Sequence, residues 1–279
     1  MAVAAQDTGN RSAEGVTAEL VYLADRSIPP TIHYTEPGLP RRVGNYGRFA
    51  VHIADMRATE GLSLDREGFE LHHFEPDVAD FYDVEGVEKD YYPLVSDLVK
   101  AVTGATEAIV FDHTIRTEGG GTENSTVLRA PVRLVHNDYT EESAPKRVRE
   151  LLPDDEAERW LAGQFIELNV WRPLEGPVQV APLAVSDARS IPASDLTLVN
   201  MYYPDRMGEI YHALFNPDHR WYYVPQMTPD EAVLIKGYDS AKDGRARFTL
   251  HTAFDDPQTP ENPPPRKSIE TRVLALMTD

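Results

Sequence analysis

The sequence predicts a mainly β protein with flanking helices, its strands closing as a barrel or a sandwich. Three observations carry this. After Gly163 helical periodicity stops, and the chain runs on as short strand-like stretches, from FIELNVWRPL to SIETRVLALM, regularly spaced with turn residues between them. Helical spacing is confined to a few segments before that point. No internal repeat, low-complexity tract or linker divides the 279 residues, so a single domain over 16–279 is expected.

Taken in order, residues 1–15 are small and polar and are expected to be disordered. VTAELVYL (16–23) reads as a first strand, and the Pro- and Gly-rich passage through Pro29, Pro30, Pro37, Gly38 and Pro40 as loop. RFAVHIAD (48–55) alternates like a half-buried strand and carries His52, read as a satisfied structural histidine. GFELHHF places His72 and His73 on opposite faces, so the two cannot ligate one ion. A helix is expected from about Asp90 to Val102, with Leu94, Val95, Leu98, Val99 and Val102 on one side and Gly104 as its C-terminal cap. EAIVFDHTIR follows as a strand and leads to the glycine-rich stretch Gly119–Thr122. That stretch lacks the lysine and spacing of a phosphate cradle and reads as a connection or a lid. A strand over Val127–Val135 then leads to two short helices, KRVRELL and DDEAERWLAGQ, the second starting with acids suited to its N-terminal dipole.

Composition excludes whole classes of function. A formal charge of -19 repels nucleic acid phosphates and anionic membrane surfaces, so neither is an expected partner. With no cysteine there are no disulfides, thiolate nucleophiles, iron–sulfur clusters or cysteine-ligated zinc, and any metal must be held by histidine and carboxylate. No apolar run approaches a membrane span and the N-terminus has no signal-like pattern, which points to the cytoplasm. Homo-oligomer formation is left open.

The chemistry centres on His136-Asn137-Asp138. On a strand, positions i and i+2 face the same way, so His136 and Asp138 can aim at one ion while Asn137 points away. A third ligand must come from a distant strand. His219 sits in an N-P-D-H turn, the ordinary place for a histidine bonded to turn groups. His212 and His251 are both on strand-like stretches. His251 is favoured because the next strand carries Arg266 and Arg272, and a guanidinium grips a carboxylate with two parallel bonds. Such an arrangement can hold a dicarboxylate that also chelates the metal. Two histidines and one carboxylate on one side of a metal leave open positions opposite, the arrangement associated with non-haem Fe(II) oxygenases.

The blocks HNDYT, NVWRPL, PLAVSDARS, HRWYYVPQMTPDEA, KGYDS, HTAFDDP and PPRKSIETR resemble the family containing the cephalosporin 7-alpha-methoxylase small chain, hydroxylase/desaturases of the aspergillic acid type and endoperoxide-forming enzymes of meroterpenoid pathways. The likeness runs from about Val16 to Leu276. It implies a double-stranded β-helix, of jelly-roll or cupin-like form, that binds Fe(II) and 2-oxoglutarate. The implied reaction uses O2 to hydroxylate, desaturate or cyclise a small-molecule secondary metabolite, releasing succinate and CO2. By that likeness His136, Asp138 and His251 are the iron ligands, and Arg272 or Arg266 holds the distal carboxylate of 2-oxoglutarate. Tyr139, Trp171, Tyr202, Tyr203, Trp221, Tyr222 and Tyr223 are candidates for pocket walls, Arg172 for a substrate or cosubstrate contact, and Asp255 and Asp256 for a strand end. Two other readings compete. A metal-dependent hydrolase or isomerase on a cupin-like barrel would activate water and has no need of an arginine on the last strand; a non-catalytic partner subunit needs no metal.

Overall fold

In the computed structural model the described residues are 15–34, 41–118 and 128–277. The expected disordered segment, apart from Gly15, and the glycine-rich stretch after Glu118 lie outside them. The strands in chain order are β1 (Val16–Asp25), β2 (Thr31–His33), β3 (Arg41–Val43), β4 (Asn45–Asp55), β5 (Phe69–His73), β6 (Glu107–Thr117), β7 (Leu128–Arg129) and β8 (His136–Asn137). There follow β9 (Gln164–Pro173), β10 (Leu183–Ser186), β11 (Leu196–Tyr202), β12 (Met207–Ala213), β13 (Trp221–Tyr223), β14 (Glu231–Asp239), β15 (His251–Ala253) and β16 (Lys267–Met277).

They form two sheets. One has the order β5-β14-β9-β16-β6-β7, the other β1-β4-β13-β10-β15-β8-β12-β11-β2-β3. At their centres lie β14-β9-β16-β6 and β13-β10-β15-β8. The chain visits these eight strands by crossing from one sheet to the other at almost every step. That alternation is the winding of a double-stranded β-helix, as the family resemblance implies. The remaining strands are additions, of which β12 and β11 extend the larger sheet beyond β8.

Each face of the sheets is covered by residues whose pattern suits it. Strand β9 is buried along nearly its whole length, so its even positions Ile166, Leu168 and Val170 pack outward. There they meet Val95 and Val99 of the helix Tyr92–Thr103, which ends at Gly104 in the left-handed region (φ 74°). The odd position Trp171 points inward and packs with Phe69, Val185, Val233 and Ile235 between the sheets. At the margin of the larger sheet β1 pairs antiparallel with β4, and their Tyr22 and Ile53 meet Val135, Trp221 and Leu250. The helices Ser143–Leu151 and Asp154–Ala162 bury Val148 and Trp160 against Tyr139, Phe165, Tyr238 and Leu274 at one end of the barrel. Burying each such large apolar side chain contributes about 1.5–3 kcal/mol before entropy is counted.

Several expectations are corrected. The strand expected over 127–135 is only Leu128–Arg129, with irregular chain from Ala130 to Val135. Pro131 has no N–H for a ladder, and the backbone bonds made nearby go instead from Val135 to Val21 and from Ala253 to Val132. The stretch around His251 is likewise regular only over β15. His52 is exposed, so it is a surface residue and not a core histidine. His72 and His73 do diverge, pairing with Glu70 and Asp230 respectively.

Candidate metal centre

His136 lies at the start of β8, paired across the sheet with His251 of β15 on one side and His212 of β12 on the other. Opposed residues of antiparallel strands face the same way, so three histidines stand in a row on the inner face. Asp138 follows just beyond β8, in a bend. One ligand atom each from His136, Asp138 and His251 lies within 4.8 Å of the others, and the two imidazole centroids are 4.3 Å apart. Among the described residues this is the group able to hold a metal ion. His212 lies outside it.

The hydrogen bonds explain why these atoms are available. Nδ1 of His136 donates to the carbonyl of Leu134 at 2.7 Å, and Nδ1 of His251 to the carbonyl of Thr249 at 3.4 Å. A carbonyl accepts only, so each ring is held with its proton on Nδ1 and a lone pair on Nε2. The Nε2 of His136 faces Asp138 Oδ1 at 3.4 Å, and the Nε2 of His251 is buried with no hydrogen-bond partner at all. An orphaned buried lone pair costs free energy unless something electrophilic meets it. A divalent cation fits that requirement, and so does the chemistry of the set: two neutral imidazoles and one carboxylate. Burial, then the neighbouring His136 ring, push His251 down to about 4 against the opposing pull of Asp138 and Glu270, so it is neutral near pH 7.

Asp138 is held from behind. Burial raises its pKa, but the adjacent His136 ring and the charge of Arg272 outweigh that and keep it well below the usual carboxylate range. Its Oδ2 accepts from Asn169 Nδ2 at 3.0 Å and from Arg272 Nε at 3.5 Å, which leaves Oδ1 turned toward the histidines. Arg272 in turn donates to Asp112 at 2.8 Å and Glu270 at 2.6 Å, and Glu270 also pairs with Arg116 at 3.5 Å. Its guanidinium is therefore already committed to three carboxylates.

Arg266 is placed differently. It precedes β16, is 3% exposed, and lines a cleft with His136, His251, Trp171 and Arg116 whose empty space is about 270 Å³. Its Nη1 donates to the carbonyl of Ala181 at 2.5 Å, its plane lies over the Trp171 ring at 5.5 Å, and its Nε has no partner. No carboxylate among the described residues pairs with it. Burial, with Arg116 close by, lowers its pKa to about 9, still charged at neutral pH.

Asn137 is bonded to backbone groups around the ligand cluster and braces the centre. Its Nδ2 donates to the carbonyls of Tyr139 (2.7 Å) and Gly237 (2.8 Å), and its Oδ1 accepts from the Thr249 amide at 3.3 Å. One side chain thus links β8, β14 of the opposite sheet and the approach to β15. Gly237 must lack a side chain, since a Cβ there would meet the Tyr139 ring at 2.8 Å.

Of the other candidates, Trp171 lines the cleft, while Trp221 and Tyr223 pack on the far side of the sheet. Arg172 faces outward, donating to the Pro229 carbonyl at 2.5 Å beneath Phe81. It does not approach the cleft. His219 is tied between Tyr22 and Asp195, and Asp255 pairs with Arg133. Asn169, Glu270 and Arg116 are new. Asn169 and Glu167 are polar residues at alternate positions of an otherwise apolar strand, and that period of two was the signal for them.

Comparison with known proteins agrees with this geometry. Residues 20–276 match the family model described as the oxidoreductase/YMDC permease-like domain. The chain is 34% identical over 257 residues to hydroxylase/desaturase efuI of Hormonema carpetanum, covering 84% of this chain and 85% of that protein. It is 37% identical over 196 residues to the Fe(II)/2-oxoglutarate-dependent dioxygenase nvfI of Aspergillus novofumigatus, covering 70% and 69%. A solved structure of the iron and alpha-ketoglutarate-dependent endoperoxidase NvfI superposes with a TM-score of 0.86 at 29% identity, over 96% of this chain and all of that one. No helix of the described residues is long and apolar enough to cross a membrane. The chain belongs to the oxidoreductase/YMDC permease-like domain family, together with these fungal hydroxylase/desaturases and iron- and 2-oxoglutarate-dependent dioxygenases.

Proposed function

We propose that this chain is an Fe(II)- and 2-oxoglutarate-dependent oxygenase of secondary metabolism, with His136, Asp138 and His251 as the iron ligands and Arg266 as the seat of the cosubstrate's distal carboxylate. The observation that carries the reading is the convergence of two Nδ1-protonated imidazoles and one clamped carboxylate, with the Nε2 of His251 buried and unpartnered. Bound there, Fe(II) supplies the oxidation of a substrate C–H bond by O2, with 2-oxoglutarate consumed to succinate and CO2 as the co-reductant. The hydrolase and partner-subunit alternatives are not favoured by the relatives, whose names are those of dioxygenases, hydroxylase/desaturases and an endoperoxidase.

The residues divide the work. Asn169 and Arg272 fix the Asp138 carboxylate so that it presents Oδ1 without reorganisation. Arg266, a buried cation with a free Nε and an aromatic ring beneath it, receives an anion in the cleft that it lines together with the histidines. Arg266 is preferred to Arg272 because every nitrogen of Arg272 already donates to a carboxylate, whereas Arg266 pairs with none among the described residues. Trp171 and Leu183 narrow the cleft and keep water from the reacting centre. The partners are a small-molecule substrate and O2. On the sequence grounds above we place the chain in the cytoplasm as one domain over 16–279.

The test is anaerobic addition of Fe(II) and 2-oxoglutarate, followed by O2. The visible charge-transfer band of a chelated 2-oxo acid is expected in the native protein and absent from His136→Ala, and succinate is expected to accumulate after O2 is admitted. Metal binding without either signal would refute the oxygenase reading in favour of a hydrolytic one.

A further inference from the structure

The cleft beside the metal centre is lined by two arginines, not one. Arg116, near the end of β6, faces it together with Arg266, His136 and His251. Register explains the placement. The Glu118 N–H donates to the Arg266 carbonyl at 3.0 Å, and Arg116, two positions earlier, stands opposite Ser268. Residues two apart on a strand share a face, as do opposed residues of antiparallel strands, so both guanidiniums rise from the same side of the smaller sheet. After burial, the charge of Arg116 is the strongest influence depressing the pKa of Arg266, so the two cations repel across the cleft.

Nearby acids leave this repulsion largely uncompensated. Arg116 donates to the Ala130 carbonyl at 3.2 Å and lies 3.5 Å from Glu270 Oε1, too far for a firm hydrogen bond, whereas Arg272 holds that same oxygen at 2.6 Å. Glu270 therefore belongs chiefly to Arg272. The other acid acting on Arg266 is Glu118, and Arg133 already donates to it at 2.9 Å. In a chain of charge -19, two guanidiniums thus face one small space against a single carboxylate that is mostly committed elsewhere. Like charges gathered in a partly enclosed site cost free energy until an anion joins them. The empty space of about 270 Å³ lies below the roughly 300–1,000 Å³ of pockets that take drug-sized ligands, so the anion it suits is small.

We propose that Arg116 is a second, specificity-determining contact for the cosubstrate, forming with Arg266 a two-guanidinium seat that accepts a 2-oxo acid with a carboxylate at its far end and rejects one without. The distal carboxylate relieves the repulsion between the two cations and accepts N–H donors from both. A 2-oxo acid ending in a methyl group leaves both guanidiniums desolvated and unmatched, and that penalty makes the selection steep. The identity of the ligand rests on the oxygenase reading, but the seat can be tested without metal.

Urea unfolding of the metal-free full chain, in glutarate or in sodium chloride of equal ionic strength, tests the seat alone. Glutarate should raise the midpoint of the native chain by linkage to binding, and should do so far less for Arg116→Gln. The Mn(II)-loaded protein is then titrated calorimetrically with 2-oxoglutarate and with 2-oxopentanoate, which carries a methyl group in place of the distal carboxylate. Arg116→Gln should weaken 2-oxoglutarate about tenfold, as for one lost charge-assisted contact, and leave 2-oxopentanoate unchanged. Arg116→Lys should restore most of the preference, which separates lost charge from lost folding. The same loss should appear in a Glu270→Gln background. If it vanishes there, Arg116 acts only by screening Glu270 and the proposal falls. Equal weakening of both 2-oxo acids, or of neither, also overturns it, as does a glutarate effect that is the same in both chains. If glutarate distinguishes the chains but the Mn(II)-loaded protein binds neither 2-oxo acid, the oxygenase reading falls and the seat stands as that of another dicarboxylate.

Discussion

His136 has a histidine on either side of it, on the same face and one strand away, yet only one of the two joins the metal-binding group. The difference lies in reach. Both spend Nδ1, His251 on the Thr249 carbonyl and His212 on the Tyr46 hydroxyl, but only His251 brings a ligand atom within 4.8 Å of those of both His136 and Asp138. Cross-strand adjacency therefore supplies candidates, and distance from Asp138 chooses among them. The two arginines differ in their partners: Arg272 is paired with Asp138, Asp112 and Glu270, and Arg266 is buried with its Nε unspent and no carboxylate partner among the described residues.

The sharpest way to break the comparison is to remove each histidine. His251→Ala should weaken Mn(II) or Fe(II) binding by at least about 100-fold, on the scale of losing a ligand or its outer support, while His212→Ala should leave it within about threefold. Calorimetric titration of the metal reads both, and equal losses would dissolve the distinction. The arginines come next. Arg266→Gln should raise the 2-oxoglutarate dissociation constant with little change in metal affinity. Arg272→Gln should weaken metal and also destabilise the fold by about 3 kcal/mol in urea, because it leaves the buried Glu270 with Arg116 alone and loosens Asp138. A reversal of these two patterns would return the cosubstrate role to Arg272.

The smallest effect is in proton linkage. His212 and His251 have folded pKa values of about 3 and about 4, below the 6.5 of a free histidine. Between pH 6.5 and those values the unfolded chain holds protons that the folded one does not. Stability is thus present above pH 6.5 and lost as pH falls below it, by up to about 1.4 kcal/mol per pH unit for each histidine fully engaged. In the metal-free protein, His212→Gln should remove about one proton from the uptake on unfolding near pH 5. Unchanged uptake would mean that His212 is not buried neutral.

Much of this was legible in the chain. The pair His136 and Asp138 announces itself by spacing, and the late strands by their turn-punctuated alternation. The strand expected to lead to them is instead irregular chain from Ala130 to Val135, because Pro131 interrupts the ladder while the backbone still finds partners in β1 and at Ala253. His251 could be preferred over His212 only through its neighbours, since both are buried strand histidines and what separates them is their distance from Asp138, which the closed sheet sets. Arg266 and Arg272 are indistinguishable in sequence for a similar reason. Glu270 stands two positions from Arg272 on the same strand, but the other two acids that engage it come from β6 and from beyond β8, and such registers are set by barrel closure rather than by local pattern.

The brace made by Asn137 has a consequence for how the centre fails. Its amide joins backbone groups belonging to both sheets and to both ligand-bearing segments, so neither His136 nor His251 can swing out while the barrel stays closed. Opening the centre and separating the sheets are then one event, with the slow amide exchange of global unfolding rather than the fast exchange of a loop. Warmed toward its melting point, the protein should keep a competent centre in every molecule still folded, and lose activity by losing molecules rather than by loosening all of them.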